Sequence, residues 1–201
     1  MKKIIIGLLI IGLTMLQANA FEWNSILNFI GKASEMQTTQ TTSLKDLEAQ
    51  MTTIDNTAKS AFVNIVSALS GWKETWSVKS QLKSKESILT EVISNYANSY
   101  IANNKQSIIR KIEKMSAKEK TALLQNIATL TNCSQDYVLL AANGARTVST
   151  VLKSAQTISD VTTTISNINK TAAELRQRAT TVTTLVSQIK AVATTAGVNV
   201  N

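Results

Sequence analysis

The chain has 201 residues and a formal charge of +8, with no histidine, one cysteine, no proline and six glycines. Lacking histidine, it lacks the commonest general base and the commonest zinc ligand, and one cysteine builds neither a thiolate metal site nor an internal disulfide. So few chain breakers argue against a β-rich domain, and an aromatic content of 4% suits a core of Leu, Ile, Val and Ala between narrow helices.

The N-terminus reads as an export signal. Lys2 and Lys3 precede an apolar run over positions 4–16, and Ala18, Asn19 and Ala20 supply the small residues that a signal peptidase reads. Residues 1–20 are therefore expected to be removed before Phe21, leaving an exported chain, periplasmic or extracellular, that is soluble after cleavage. The remainder, 21–201, is expected to be a single elongated helical-bundle domain. Without Lys2 and Lys3 its charge is +6.

A short helix is expected near 23–35. Trp23, Ile26, Leu27 and Ile30 share one of its faces, with Phe29 off it, so this face either packs on the end of a bundle or docks elsewhere. Next, Leu44, Met51, Ala58, Ile65 and Trp72 recur every seven residues, and Leu47, Ile54, Ala61 and Ala68 fill the companion positions. Ser43 with Asp46 resembles a capping box, which places a helix over 43–77 with Gly71 loosening its end. Trp72 and Trp76 lie one turn apart, as do Tyr96 and Tyr100; an aromatic cluster packed in the core or at the bundle end is the reading favoured for all four, with a ligand groove as the alternative.

The middle predicts an amphipathic helix over 82–114, with Asn103 and Asn104 marking either a turn or a helical stretch. Ser116 and Glu119 form a capping box that opens a helix over 117–131. Asn132 to Gln135 offers another box and opens a helix over 134–196, with Gly144 a point of kinking or close packing. From Val151 and Ser154 onward the heptad positions run nearly without a break to Ala193 and Ala196, Ser154 being their one polar member. The two heptad runs are expected to pack along one another, and residues 197–201 to fray. The fold class is thus all-α: an elongated antiparallel helical bundle of about five helices, with coiled-coil-like long members.

Charge is uneven. Residues 79–120 hold nine Lys/Arg against four acids. Lys105, Arg110, Lys111, Lys114 and Lys118 belong to this stretch, which reads as a solvated helical face or as a patch for an anionic membrane surface, a polysaccharide or a partner protein. Cys133 is either a buried, inert thiol or a link to another chain. Nucleic acid is not an expected partner of an exported chain without a recognition module. No catalytic, cofactor or metal residues are expected.

The leading functional expectation is a non-enzymatic structural or adaptor protein of the bacterial envelope, working by helix-to-helix contact with a protein partner or by self-association. In layout, an exported Thr/Gln/Asn-rich helical bundle behind a signal peptide resembles the minor pilus-tip proteins of type IV secretion systems. That resemblance implies a part in a conjugation or secretion apparatus. A third expectation is a membrane-active bundle, either a lipid binder or a pore former.

Overall fold

The computed structural model describes residues 43–84, 89–154 and 158–200, all within the unit Thr41–Asn201. The expected signal peptide, the helix at 23–35 and its face of Trp23, Ile26, Leu27 and Ile30 lie outside the described residues. Those described form α1 (Leu44–Leu69), α2 (Trp72–Lys83), α3 (Leu89–Asn95), a π-helical turn (Tyr96–Ile101), α4 (Ala102–Glu113), α5 (Ala117–Ser154) and α6 (Ile158–Thr195). The fold is all-α, without strands among the described residues.

α1 begins where its cap is written. The Ser43 hydroxyl accepts from the Asp46 backbone N–H at 3.2 Å and donates to its carboxylate at 2.8 Å. The helix ends earlier than the heptads imply. Ser70 and Gly71 adopt extended backbone, and Ser70 is held by two distant groups. Its hydroxyl lies 2.6 Å from the Tyr96 hydroxyl, and its carbonyl accepts from Lys111 Nζ at 2.5 Å. The single helix expected over 43–77 is therefore two, and Trp72 leaves the apolar seam.

α5 is the central element. Its 38 residues extend about 57 Å at 1.5 Å per residue. α6 runs antiparallel to it, and α1 lies against it on another side, also antiparallel. The two heptad runs thus pack chiefly on α5 and only slightly on one another, contrary to the expected pairing. Ile168, Leu175, Val182 and Ile189 are all buried on α6, joined by Leu185 and Val192. The apolar face is wider than a strict heptad seam, as suits a helix with several neighbours.

The expected helix start at Asn132 is absent because its polar groups face a neighbour. The Ser134 hydroxyl donates to the Ala179 carbonyl at 3.1 Å and lies 2.7 Å from Thr183 Oγ1. The side chain that could cap a helix instead joins two of them, and α5 runs straight through. The continuous helix expected over 134–196 is also corrected: α5 stops at Ser154, and α6 starts at Ile158 in the opposite direction. Periodicity carries on across this reversal, so only the polar Ser154 marks it. Ser116 does open α5 as its sequence implies, with the Glu119 N–H donating to its hydroxyl at 3.3 Å and the carboxylate accepting from the Ser116 N–H at 2.8 Å.

The chain end is also firmer than expected. Gly197 has φ +76°, the Val198 N–H bonds the Ala193 carbonyl, and the Gly197 N–H bonds the Thr194 carbonyl, both at 3.0 Å. This closes α6 in a Schellman motif, and Val198 is buried.

One polar junction ties the three long helices. Asp55 of α1 accepts from the Tyr137 hydroxyl of α5 at 2.6 Å and from Arg178 Nε of α6 at 3.1 Å. Arg178 also approaches Glu174, on its own helix, at 3.5 Å. With the Asp55 and Arg178 side chains only 17% and 13% exposed, removing the carboxylate leaves a cation and a phenol poorly solvated. Asp55→Ala should cost about 3 kcal/mol in urea unfolding, whereas Glu174→Ala should cost under about 1 kcal/mol. A second test concerns Gly144, where an added Cβ would sit 3.5 Å from Ala172 Cβ and 3.6 Å from Ile168 Cγ2. Gly144→Ala should stabilise by up to about 1 kcal/mol through helix propensity, and Gly144→Leu should destabilise by about 1–3 kcal/mol through overpacking.

Candidate functional site

α2 presents two contrasting faces. Trp72, Trp76, Lys79 and Lys83 follow helical spacing along one of them. Trp72 is 76% exposed and Trp76 68%, and these are the exposed large hydrophobic side chains among the described residues. Lys73 Nζ sits 5.9 Å from the centroid of the Trp72 ring, within cation–π range. The expected cluster of Trp72 and Trp76 with the two tyrosines does not form. The helix break at Ser70 and Gly71 turns the tryptophans to solvent.

The other face of α2 carries Glu74, Val78 and Gln81 and forms one wall of a groove of about 310 Å³. Val92 and Asn95 of α3, Tyr96, Ser99 and Tyr100 of the π-helical turn, and Asn103 and Asn104 of α4 line the rest. The Tyr96 and Tyr100 rings stack with centroids 5.1 Å apart and planes at 10°. Phe62 meets Tyr96 edge-on at 5.5 Å. Asn104 is a kink, with φ −117° and ψ 16°, and its side-chain amide donates to the Tyr100 carbonyl at 2.9 Å. Neither a turn nor a regular helix describes that position. The helix continues through it, distorted.

The basic residues divide into two groups. Arg110, Lys111 and Lys114 lie on the outer side of α4, away from the buried Ile108, Ile109 and Ile112, and Lys118 follows in the first turn of α5. All four are exposed. Lys111 reaches back to the Ser70 carbonyl, so it holds the end of α1 as well as carrying charge. Lys105 is exposed too but stands apart, about 140° around the helix from Arg110.

Burial shifts two tyrosines and one carboxyl toward their neutral forms. Burial raises Tyr96 well above the ordinary phenol range, against the lowering effect of its Ser70 hydrogen bond. Burial, then the bond to Asp55, raises Tyr137 further. Both phenols therefore serve as hydrogen-bonding groups, not as sources of phenolate. Burial also raises the Asp136 carboxyl. No group of three or more His, Cys, Asp or Glu side chains among the described residues is placed to hold a metal ion. No described helix is long and apolar enough to cross a membrane.

Of the residues singled out in the sequence, Lys105, Arg110, Lys111, Lys114 and Lys118 are all exposed, and Cys133 is buried. A groove does form beside Tyr96 and Tyr100, but the outward turn of the tryptophans was missed. Their one sequence signal was the Ser70-Gly71 pair ahead of Trp72, read only as a loosened helix end.

Cys133 is 2% exposed, and burial, with Asp136 nearby, pushes its thiol up to about 11. In this fold its sulfur is closed to a second chain. The sign of the pH dependence follows, because the folded thiol keeps its proton to higher pH than the unfolded one at 9.0. Its contribution to stability is full below pH 9 and lost as pH rises through about 11. At pH 8 the native protein should react with iodoacetamide at least about a hundredfold more slowly than the urea-unfolded chain, followed by mass spectrometry. The chain matches no family model, no curated protein and no solved structure.

Proposed function

We propose that the chain is an exported, non-enzymatic adaptor of the bacterial envelope that docks an acidic amphipathic helix of a partner protein on the outer face of α2. The observation that carries this reading is the exposure of Trp72 and Trp76, one turn apart and followed on the same face by Lys79 and Lys83. A tryptophan is the residue type that most often dominates a protein interface, because it buries a large area with few rotatable bonds. Two of them offer about 300 Å² of apolar surface, a fitting centre for a standard interface of about 800 Å² per partner. Lys73, Lys79 and Lys83 set cations around that centre, which selects a partner whose apolar stripe is bordered by Asp or Glu.

A membrane surface suits the same face less well. α2 has 12 residues, and the tryptophans are the apolar side chains on its outward face; Val78 turns into the groove. Interfacial binding scales with the apolar area buried, and two side chains supply little of it. Export rests on Lys2, Lys3, the apolar run over 4–16 and Ala18 to Ala20.

A photo-crosslinker placed at Ser80, beside the tryptophans, should trap a specific envelope protein in cells. With that protein purified, Trp72→Ala and Trp76→Ala should each weaken binding by about tenfold or more, without lowering the helical signal or the unfolding midpoint. Wild-type affinity in both variants would sink the reading. So would cosedimentation of the wild type with phosphatidylglycerol vesicles that Trp76→Ala abolishes.

A further inference from the structure

The groove on the inner side of α2 is independent of the docking face, and its lining is chemically specific. It combines one half-buried aromatic ring, Tyr100, with the amides of Gln81, Asn95, Asn103 and Asn104 and the Ser99 hydroxyl. We propose that this groove is a binding site for a neutral saccharide.

Charge excludes the commonest alternatives. Among the described residues no Lys or Arg lines the groove and Glu74 does, so a phosphate, sulfate or carboxylate would meet repulsion from that carboxylate. An all-apolar ligand would strip water from four amides and a hydroxyl without replacing their hydrogen bonds. A sugar satisfies both conditions. Each primary amide carries two donors and one acceptor, which suits neighbouring hydroxyls that both give and accept. The C–H face of a pyranose packs on an aromatic ring, and the Glu74 carboxylate accepts from hydroxyls. The volume, about 310 Å³, is at the lower end of small-molecule sites, about 300–1,000 Å³, and gives room for a mono- or disaccharide.

The local backbone is built for this wall. The π-helical turn widens the helix over Tyr96–Ile101, and the distortion at Asn104 follows at once. Such irregularities cost stability and gather where side chains must be aimed. Here they align Asn95, Ser99, Tyr100, Asn103 and Asn104 along one groove. Tyr96 is locked beneath Tyr100 by its bond to Ser70, so the aromatic floor is preorganised.

The test is ligand-observed NMR on the full mature chain with neutral gluco-, galacto-, manno- and N-acetylglucosamino-mono- and disaccharides at millimolar concentration. At least one should bind. Gln81→Ala and Asn103→Ala, both on exposed positions that leave the core intact, should each weaken it by about fivefold or more, and Tyr100→Ala should abolish it. Gln125→Ala, on the exposed side of α5, should change nothing, and circular dichroism should confirm that each variant stays folded. Binding by no member of the panel would overturn the proposal. So would binding that survives both amide variants, or a preference for choline over every sugar that Glu74→Gln removes.

Discussion

The fold depends on α5 having to bury two sides at once. A helix that meets one neighbour needs one apolar stripe. α5 meets α1 and α6, so Leu123, Ile127, Leu130, Tyr137, Leu140 and Ala141 are buried over much of its length. This constraint explains why its polar residues are engaged where they are. Ser134 satisfies itself on α6, Asn126 on α1, and Tyr137 on both through Asp55. Each is a hydrogen bond that works only in one register, so polar groups fix the alignment of helices whose apolar contacts alone would tolerate sliding.

The same demand explains which parts of the fold the sequence discloses. Apolar periodicity reports that a residue is buried, and Ile168, Leu175, Val182 and Ile189 were legible on that ground. It does not report against which neighbour. The heptads of α1 and α6 look like partners, yet both belong to α5. Caps were legible where they bond within their own helix, as at Ser43 and Ser116. They misled at Asn132 to Gln135, because Ser134 finds its hydrogen-bond partners forty-five residues or more away. The chain reversal after Ser154 was illegible for a related reason: the heptad phase is preserved through it.

The candidate surfaces were less legible than the fold. Trp72 fits a seven-residue repeat and was placed in the seam by it. Its exposure depends on a break at Ser70 that is held by Tyr96 and Lys111, from segments well downstream. The groove depends on a π-helical turn, which has no period of its own in six residues. The exposure of Arg110, Lys111, Lys114 and Lys118 was legible as composition, since exposed charge needs no partner to be placed.

The antiparallel pairing of α5 with α6 has a consequence for how the molecule assembles. These two helices are neighbours in the chain, α5 ending at Ser154 and α6 starting at Ile158, so their union loses little chain entropy. α1 joins through contacts such as Asp55 with Arg178, across 123 residues. Collapse is therefore expected to begin with the hairpin, with α1 arriving on a surface already formed. By the same argument α1, carrying α2 on its end, should open first in the native ensemble, and the hairpin should keep its amide protons longest against exchange with solvent.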